Sequence, residues 1–106
     1  MKRKKIYVCA PYSGTLEEML HNRKLTIDRC HVLYELGYNP IAPQLHYPAF
    51  LDEEDPQQRQ FGLDAGLEWL AMCDEIFVYG SRTTAGMLRE IDYALDHGIP
   101  ARYVPE

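Results

Sequence analysis

Short β-favouring apolar runs alternate with stretches of helical period along the whole chain, and no other feature of the sequence restricts the fold as tightly. KIYVCA (5–10) is a first strand, ended by Pro11 and Gly14. From Thr15, an N-cap residue, the apolar positions Leu16, Met19, Leu20, Ile27, Cys30 and Tyr34 recur at helical spacing until Gly37 stops them. YNPIAP (38–43) is a brief second strand limited by Pro40 and Pro43, and residues 44–55 form a loop of aromatic and acidic character. A helix then runs from about Pro56 to Cys73, with proline favoured in its first turn. DEIFVYG (74–80) is the clearest strand, TTAGMLREIDYALDHG (83–98) is the last helix, closed by Gly98, and PARYV (100–104) is a final strand. Parallel neighbours must be joined by right-handed, helix-bearing crossovers. The expected fold is a small doubly wound, flavodoxin/Rossmann-like α/β sheet of about four parallel strands with helices on both faces. No repeat, low-complexity stretch or linker divides it, so residues 1–106 read as one domain.

Composition narrows the class of partner. The chain of 106 residues is 46% apolar and 25% charged, which fits a globular domain and argues against disorder. A net charge of −5 disfavours nucleic-acid polymers and anionic membranes, and Lys2, Arg3, Lys4 and Lys5 read as a solubilising lead into the first strand. No apolar run approaches the roughly 20 residues of a membrane helix. Pro11 and Gly14 cut short any signal-peptide pattern. Cys9, Cys30 and Cys73 lack metal spacing and look like small core residues in a reducing cytoplasm. The four histidines are scattered without a carboxylate cluster, so the expectation is no metal and no cofactor.

In open parallel sheets ligands bind at the C-terminal edge of the strands, near the switch in strand order. The loops at that edge are 10–15, 43–55 and 80–85, and they hold Tyr12, Ser13, Gly14, His46, Tyr47, Ser81, Arg82, Thr83 and Thr84. Hydroxyls and aromatics of this kind suit a sugar or a base. On the last helix Met87, Leu88, Ile91, Ala94 and Leu95 form the expected packing face, with Glu90 about 100° from Ile91. Helical side chains lean toward the N-terminus, and Gly86 leaves that path open. Two readings of Glu90 stand: a partly solvated glutamate favoured by the positive helix start, or a carboxylate aimed into the crevice.

IYVCAPYSG, CDEIFVYG and GMLREIDYA together resemble the nucleoside 2-deoxyribosyltransferase-like superfamily. That superfamily includes nucleoside deoxyribosyltransferases, deoxynucleotide N-glycosidases and many small bacterial and phage proteins. The likeness spans nearly the whole chain. It implies that Glu90 is a nucleophile attacking the sugar C1′, that Tyr7 holds it, and that Pro11, Tyr12, Ser13 and Gly14 line the sugar and base pocket. It also implies a small-molecule nucleoside or nucleotide as partner, and a homodimer or higher homo-oligomer. Such a carboxylate would stabilise an oxocarbenium-like state and trap the sugar.

Two positions depart from the transferase pattern. Transferases carry an acid six residues before the nucleophile to receive the 5′-hydroxyl, where this chain has Thr84. The nucleotide N-glycosidases have a hydroxyl there, so Thr84 points to a 5′-phosphate, with Ser13, Arg82 and Arg59 as further contacts; Thr84 is equally a helix cap. The acid that protonates the leaving base belongs after the third strand, where Gly80 and Ser81 stand. Asp74 lies at the wrong end of that strand and reads as a capping carboxylate. His46 and Tyr47, in a lid-like loop, are then candidates to protonate or stack on the base. Trp69, with Leu67, Leu70 and Met72, gives the third-strand-preceding helix apolar surface on two sides, one for the sheet and one for a second subunit. Two function classes follow: N-glycosidic cleavage or deoxyribosyl transfer through Glu90, or a non-catalytic nucleotide-binding or phage–host interaction module of the same fold.

Overall fold

Runs too apolar to face water on either side become the central strands. Lys5–Cys9 (β1) and Glu75–Tyr79 (β3) are buried along all but their first residue. Around them the chain adds α1 (Leu16–Glu35), β2 (Asn39–Ile41), α2 (Pro56–Ala71), α3 (Ala85–Asp96) and β4 (Ala101–Val104). The computed structural model describes residues 2–105. All four strands are parallel, in the order β2-β1-β3-β4, with Tyr7 opposite Ile41 on one side and Ile76 on the other. Strand order therefore reverses between β1 and β3, and the crevice above their C-terminal ends is where a ligand site is expected.

Alternation along the strands makes two cores. Tyr7, Cys9, Ile76 and Val78 face α2 and α3, packing with Leu70, Met87, Ile91 and Ala94. Ile6, Val8, Phe77 and Tyr79 face the other way, toward Leu33 of α1. Over β3 and β4 that second face is roofed by guanidinium groups, with Arg29 on the Tyr79 ring and Arg102 on the Phe77 ring. Thr15 caps α1 through a capping box with Glu18, and Asp55 and Thr84 cap α2 and α3.

Three expectations change. Residues 44–55 are not a plain loop: Pro43–Leu45 and Tyr47–Ala49 each form a 3₁₀ turn with proline at its start. In α1 the expected stripe is split: Leu16, Leu20, Ile27 and Tyr34 are exposed, Met19 and Cys30 are half-buried with Cys30 against the core, and Thr26 and Leu33 are the buried residues. That helix carries apolar residues on adjoining stripes, and a single sheet face accepts only one of them. In α3 the helix is rolled toward its Glu90 flank: Met87, Ile91 and Ala94 are buried, while Leu88 and Leu95 are 50% and 64% exposed. The cause is α2, which packs beside α3 and covers that flank. Among the described residues no helix is long and apolar enough to cross a membrane.

Candidate functional site

The roll of α3 carries Glu90 to the wall of a cavity of about 330 Å³ at the C-terminal edge of β1. Its lining comes from β1 and the loop after it, the 3₁₀ turns and the segment after them, α2, and the first turns of α3. Tyr7 is 1% exposed, and its hydroxyl donates to a Glu90 carboxylate oxygen. Burial raises the Glu90 carboxyl above the ordinary glutamate range; hydrogen bonding from Tyr7 and Cys9 and the charge of Arg89 pull in the opposite direction. Burial and the adjacent Glu90 charge push the Tyr7 phenol well above its ordinary value, so it stays a proton donor to the carboxylate. The Cys9 thiol, 3.9 Å from the Met87 carbonyl oxygen, is likewise held in its neutral form by burial and by Glu90.

The structure brings Tyr7, Tyr12, Ser13, Tyr47, Thr84, Gly86 and Glu90 around this one cavity, with Arg59. A methyl on Gly86 would meet nothing nearer than the Thr84 hydroxyl, at 4.0 Å, so the space above Glu90 is open. Thr84 does cap its helix, accepting from the Met87 amide at 3.2 Å, and its hydroxyl hydrogen remains free for a ligand. The Tyr47 hydroxyl accepts from the Trp69 indole at 2.8 Å.

Six expected residues stand outside the lining: Pro11, Gly14, His46, Gly80, Ser81 and Arg82. Gly80 has φ +97° and packs its bare α-carbon on the Pro11 ring, where a side chain would come within 3.4 Å. Ser81 and Arg82 are exposed, and Arg82 faces Glu18. The exposed His46 ring stacks edgewise on Tyr47 and Phe50, at 4.9 and 5.2 Å. Asp74 accepts from the Lys5 amide at 2.7 Å, at the strand starts and away from the cavity.

Sequence reasoning missed Glu53, Arg89, Gln44 and two glycines of α2, all of which line the cavity. Glu53 accepts a hydrogen bond from the Tyr12 hydroxyl at 3.0 Å. A methyl on Gly66 would lie 3.5 Å from the Tyr7 hydroxyl, and one on Gly62 would lie 3.5 Å from Leu51. The signal for the glycines was present: each costs a helix interior about 1 kcal/mol, so two spaced one turn apart in FGLDAGLEW call for a reason. Among the described residues no group of three His, Cys, Asp or Glu side chains converges as a metal site.

Residues 4–104 match the family of a domain of unknown function, DUF7768. No curated protein matches the chain by sequence. Among solved structures it is similar to a 2-deoxyribosyltransferase from the psychrotolerant bacterium Bacillus psychrosaccharolyticus, with 20% identity and a TM-score of 0.76. The match covers 95% of this chain and 72% of the other, and at that identity it establishes the fold.

The partly buried Glu90 gives stability a pH dependence of known sign. Its pKa is higher in the folded protein than in the unfolded chain, so the protonated carboxyl favours folding, and that contribution is lost as pH rises through the folded-state pKa. Glu90→Gln is neutral at every pH and fills the same space. The variant should therefore be more stable than the wild type at neutral pH, with the difference closing as pH falls into the ordinary glutamate range. Urea denaturation across that pH series measures it; a variant less stable at neutral pH would show that Glu90 is not desolvated as described.

Proposed function

The chain belongs to the DUF7768 family, and we propose that it acts as a single domain that cleaves the N-glycosidic bond of a nucleoside or nucleoside 5′-monophosphate, by hydrolysis or deoxyribosyl transfer. One observation carries this reading: the Glu90 carboxylate, gripped by the Tyr7 hydroxyl, faces an open cavity at the switch point of a parallel sheet. The fold shared with a 2-deoxyribosyltransferase supports it.

Breaking the bond between C1′ and a base nitrogen builds positive charge on the sugar. An ionised Glu90 lying beneath C1′ stabilises that charge and forms a covalent bond to C1′ as the base departs. Tyr7 holds one carboxylate oxygen, which fixes the direction of the other. Water or a second base then attacks C1′ and releases Glu90. For a 5′-phosphate, the free amides at the start of α3, the Thr84 and Ser13 hydroxyls, and the Arg59 and Arg89 guanidiniums offer donors around the cavity. Exposed Trp69 on α2, Met72 just after it, Leu88 and Leu95 on α3, and the outer stripe of α1 support a homo-oligomer. The reducing-compartment cysteines support a cytoplasmic location.

The test is release of free base from a panel of deoxynucleosides and their monophosphates. Glu90→Gln removes the charge while keeping size, and should lower release by at least about 100-fold with the fold intact. A variant that keeps most of the wild-type rate would move the chemistry to another residue. Ligand binding without any release by the wild type would instead support a non-catalytic module.

Substrate class is read separately by calorimetric titration. Charge-assisted hydrogen bonds of about 1.5–3 kcal/mol each, before desolvation, should leave monophosphates preferred over parent nucleosides by tenfold or more. Thr84→Asp places like charge against the phosphate and an acceptor near a 5′-hydroxyl, so it should reverse the preference. Equal wild-type affinities, or no change in the variant, would leave Thr84 as a helix cap alone.

A further inference from the structure

A base leaves a sugar readily only when a proton reaches one of its ring nitrogens, and the segment Gly80–Arg82 after β3 contributes no acid to the cavity. Gly80, Ser81 and Arg82 lie outside its lining, His46 is exposed against Tyr47 and Phe50, and Asp74 caps the opposite edge of the sheet. Two carboxylates line the cavity, and only one of them is engaged by Tyr7. The second is Glu53, on the segment between the second 3₁₀ turn and α2.

Several contacts fix that segment. The Asp52 amide donates to Gln58 at 2.7 Å, the Glu54 amide to Asp52 at 3.0 Å, and the Gln57 amide to Asp55 at 2.9 Å. From across the cavity the Tyr12 hydroxyl donates to Oε2 of Glu53 at 3.0 Å, and the Tyr12 carbonyl is itself held by Asn22 at 3.2 Å. Burial and the neighbouring Glu53 push the Tyr12 phenol up to about 12, which keeps its proton on the phenol in that hydrogen bond. Oε2 is thus occupied by the Tyr12 hydroxyl, and among the described residues Oε1 carries no hydrogen bond. The two side-chain amides of the lining are committed elsewhere: that of Gln58 to the Asp52–Asp55 segment and that of Gln44 to the Val8 carbonyl.

We propose that Glu53, positioned by Tyr12, is the acid that protonates the leaving base. The assignment rests on the Glu90 reading above. In the first step the Glu53 carboxyl gives its proton to a ring nitrogen, the C1′–N bond breaks with its electron pair going to the base, and the C1′–O bond to Glu90 forms. In the second step water adds its oxygen to C1′, its proton passes to the Glu53 carboxylate, and the bond to Glu90 breaks. Both carboxyl groups return to their starting states, so one group serves as acid and then as base, as in retaining glycosidases. The division follows from surroundings: Glu90 lies deeper, engaged by Tyr7, while Glu53 sits on a loop with one oxygen free.

The experiment compares two leaving groups on the same sugar. A purine or pyrimidine needs a proton to leave, whereas 4-nitrophenolate leaves as an anion. Glu53→Gln should lower base release by about 100-fold or more, yet leave 4-nitrophenolate release within about threefold of wild type. Tyr12→Phe should follow the same pattern with a smaller loss, and Glu90→Gln should lose both activities. Because Glu53 sits on a partly exposed loop, the variant should melt with the wild type. Equal losses on both substrates, or none on either, in Glu53→Gln would overturn the assignment while Glu90 keeps its role. Release of 4-nitrophenolate but no base by the wild type would overturn it in the same way. Release of neither by the wild type would remove the Glu90 reading and the acid with it.

Discussion

The site depends on holding one partly buried carboxylate with no salt bridge, among the described residues, to balance it. Glu90 is placed against the apolar floor of a parallel sheet, and its direct compensation is a phenol, a thiol and a cation one residue away on its own helix. A buried charge without hydrogen bonds would neutralise itself or unfold its surroundings. Tyr7 prevents this because it stands on the central strand next to the switch in strand order, locked between β2 and β3. The surrounding geometry follows: α3 rolls its Glu90 flank inward, and α2 closes over that flank with Gly66 beside the Tyr7 hydroxyl.

A second consequence concerns how the chain divides its polar groups. The strand starts hold a carboxylate spent on backbone capping, and the strand ends hold two carboxylates each matched to a tyrosine. A tyrosine donates one hydrogen bond without adding charge, so each phenol engages only one oxygen of its carboxylate. An arginine in either place would have neutralised the carboxylate and occupied both oxygens.

The sheet is legible in the sequence because IYVC and IFVY can be satisfied only by burial on both sides, and the proline-rich second run can form only a short edge strand. Thr15 and Thr84 are legible as helix starts for an equally local reason, since a hydroxyl there meets free amides. Helix faces are less legible. Leu88 and Leu95 are as apolar as Ile91, and only the presence of α2 on the opposite flank decides which of them meets the sheet. Least legible is Glu53: it lies 41 residues from Tyr12, on irregular backbone, with no periodicity to betray which way it faces. The His46 ring illustrates the same limit, because local sequence places it at the functional edge while aromatic contacts with Tyr47 and Phe50 turn it outward.

Gly62 and Gly66 bear on how such a protein can diversify. They form a smooth strip along one helix that borders the cavity but carries none of the hydrogen bonds of the site. Ordinary van der Waals space separates each α-carbon's missing methyl from Leu51 or Tyr7. A single-nucleotide drift from glycine to alanine at either place would shave the ligand space while leaving the sheet, the caps and both carboxylate–tyrosine pairs where they are. The size of this cavity is therefore separable, in evolutionary terms, from the two carboxylate–tyrosine pairs that border it. The helix works as a caliper whose setting can change one methyl at a time.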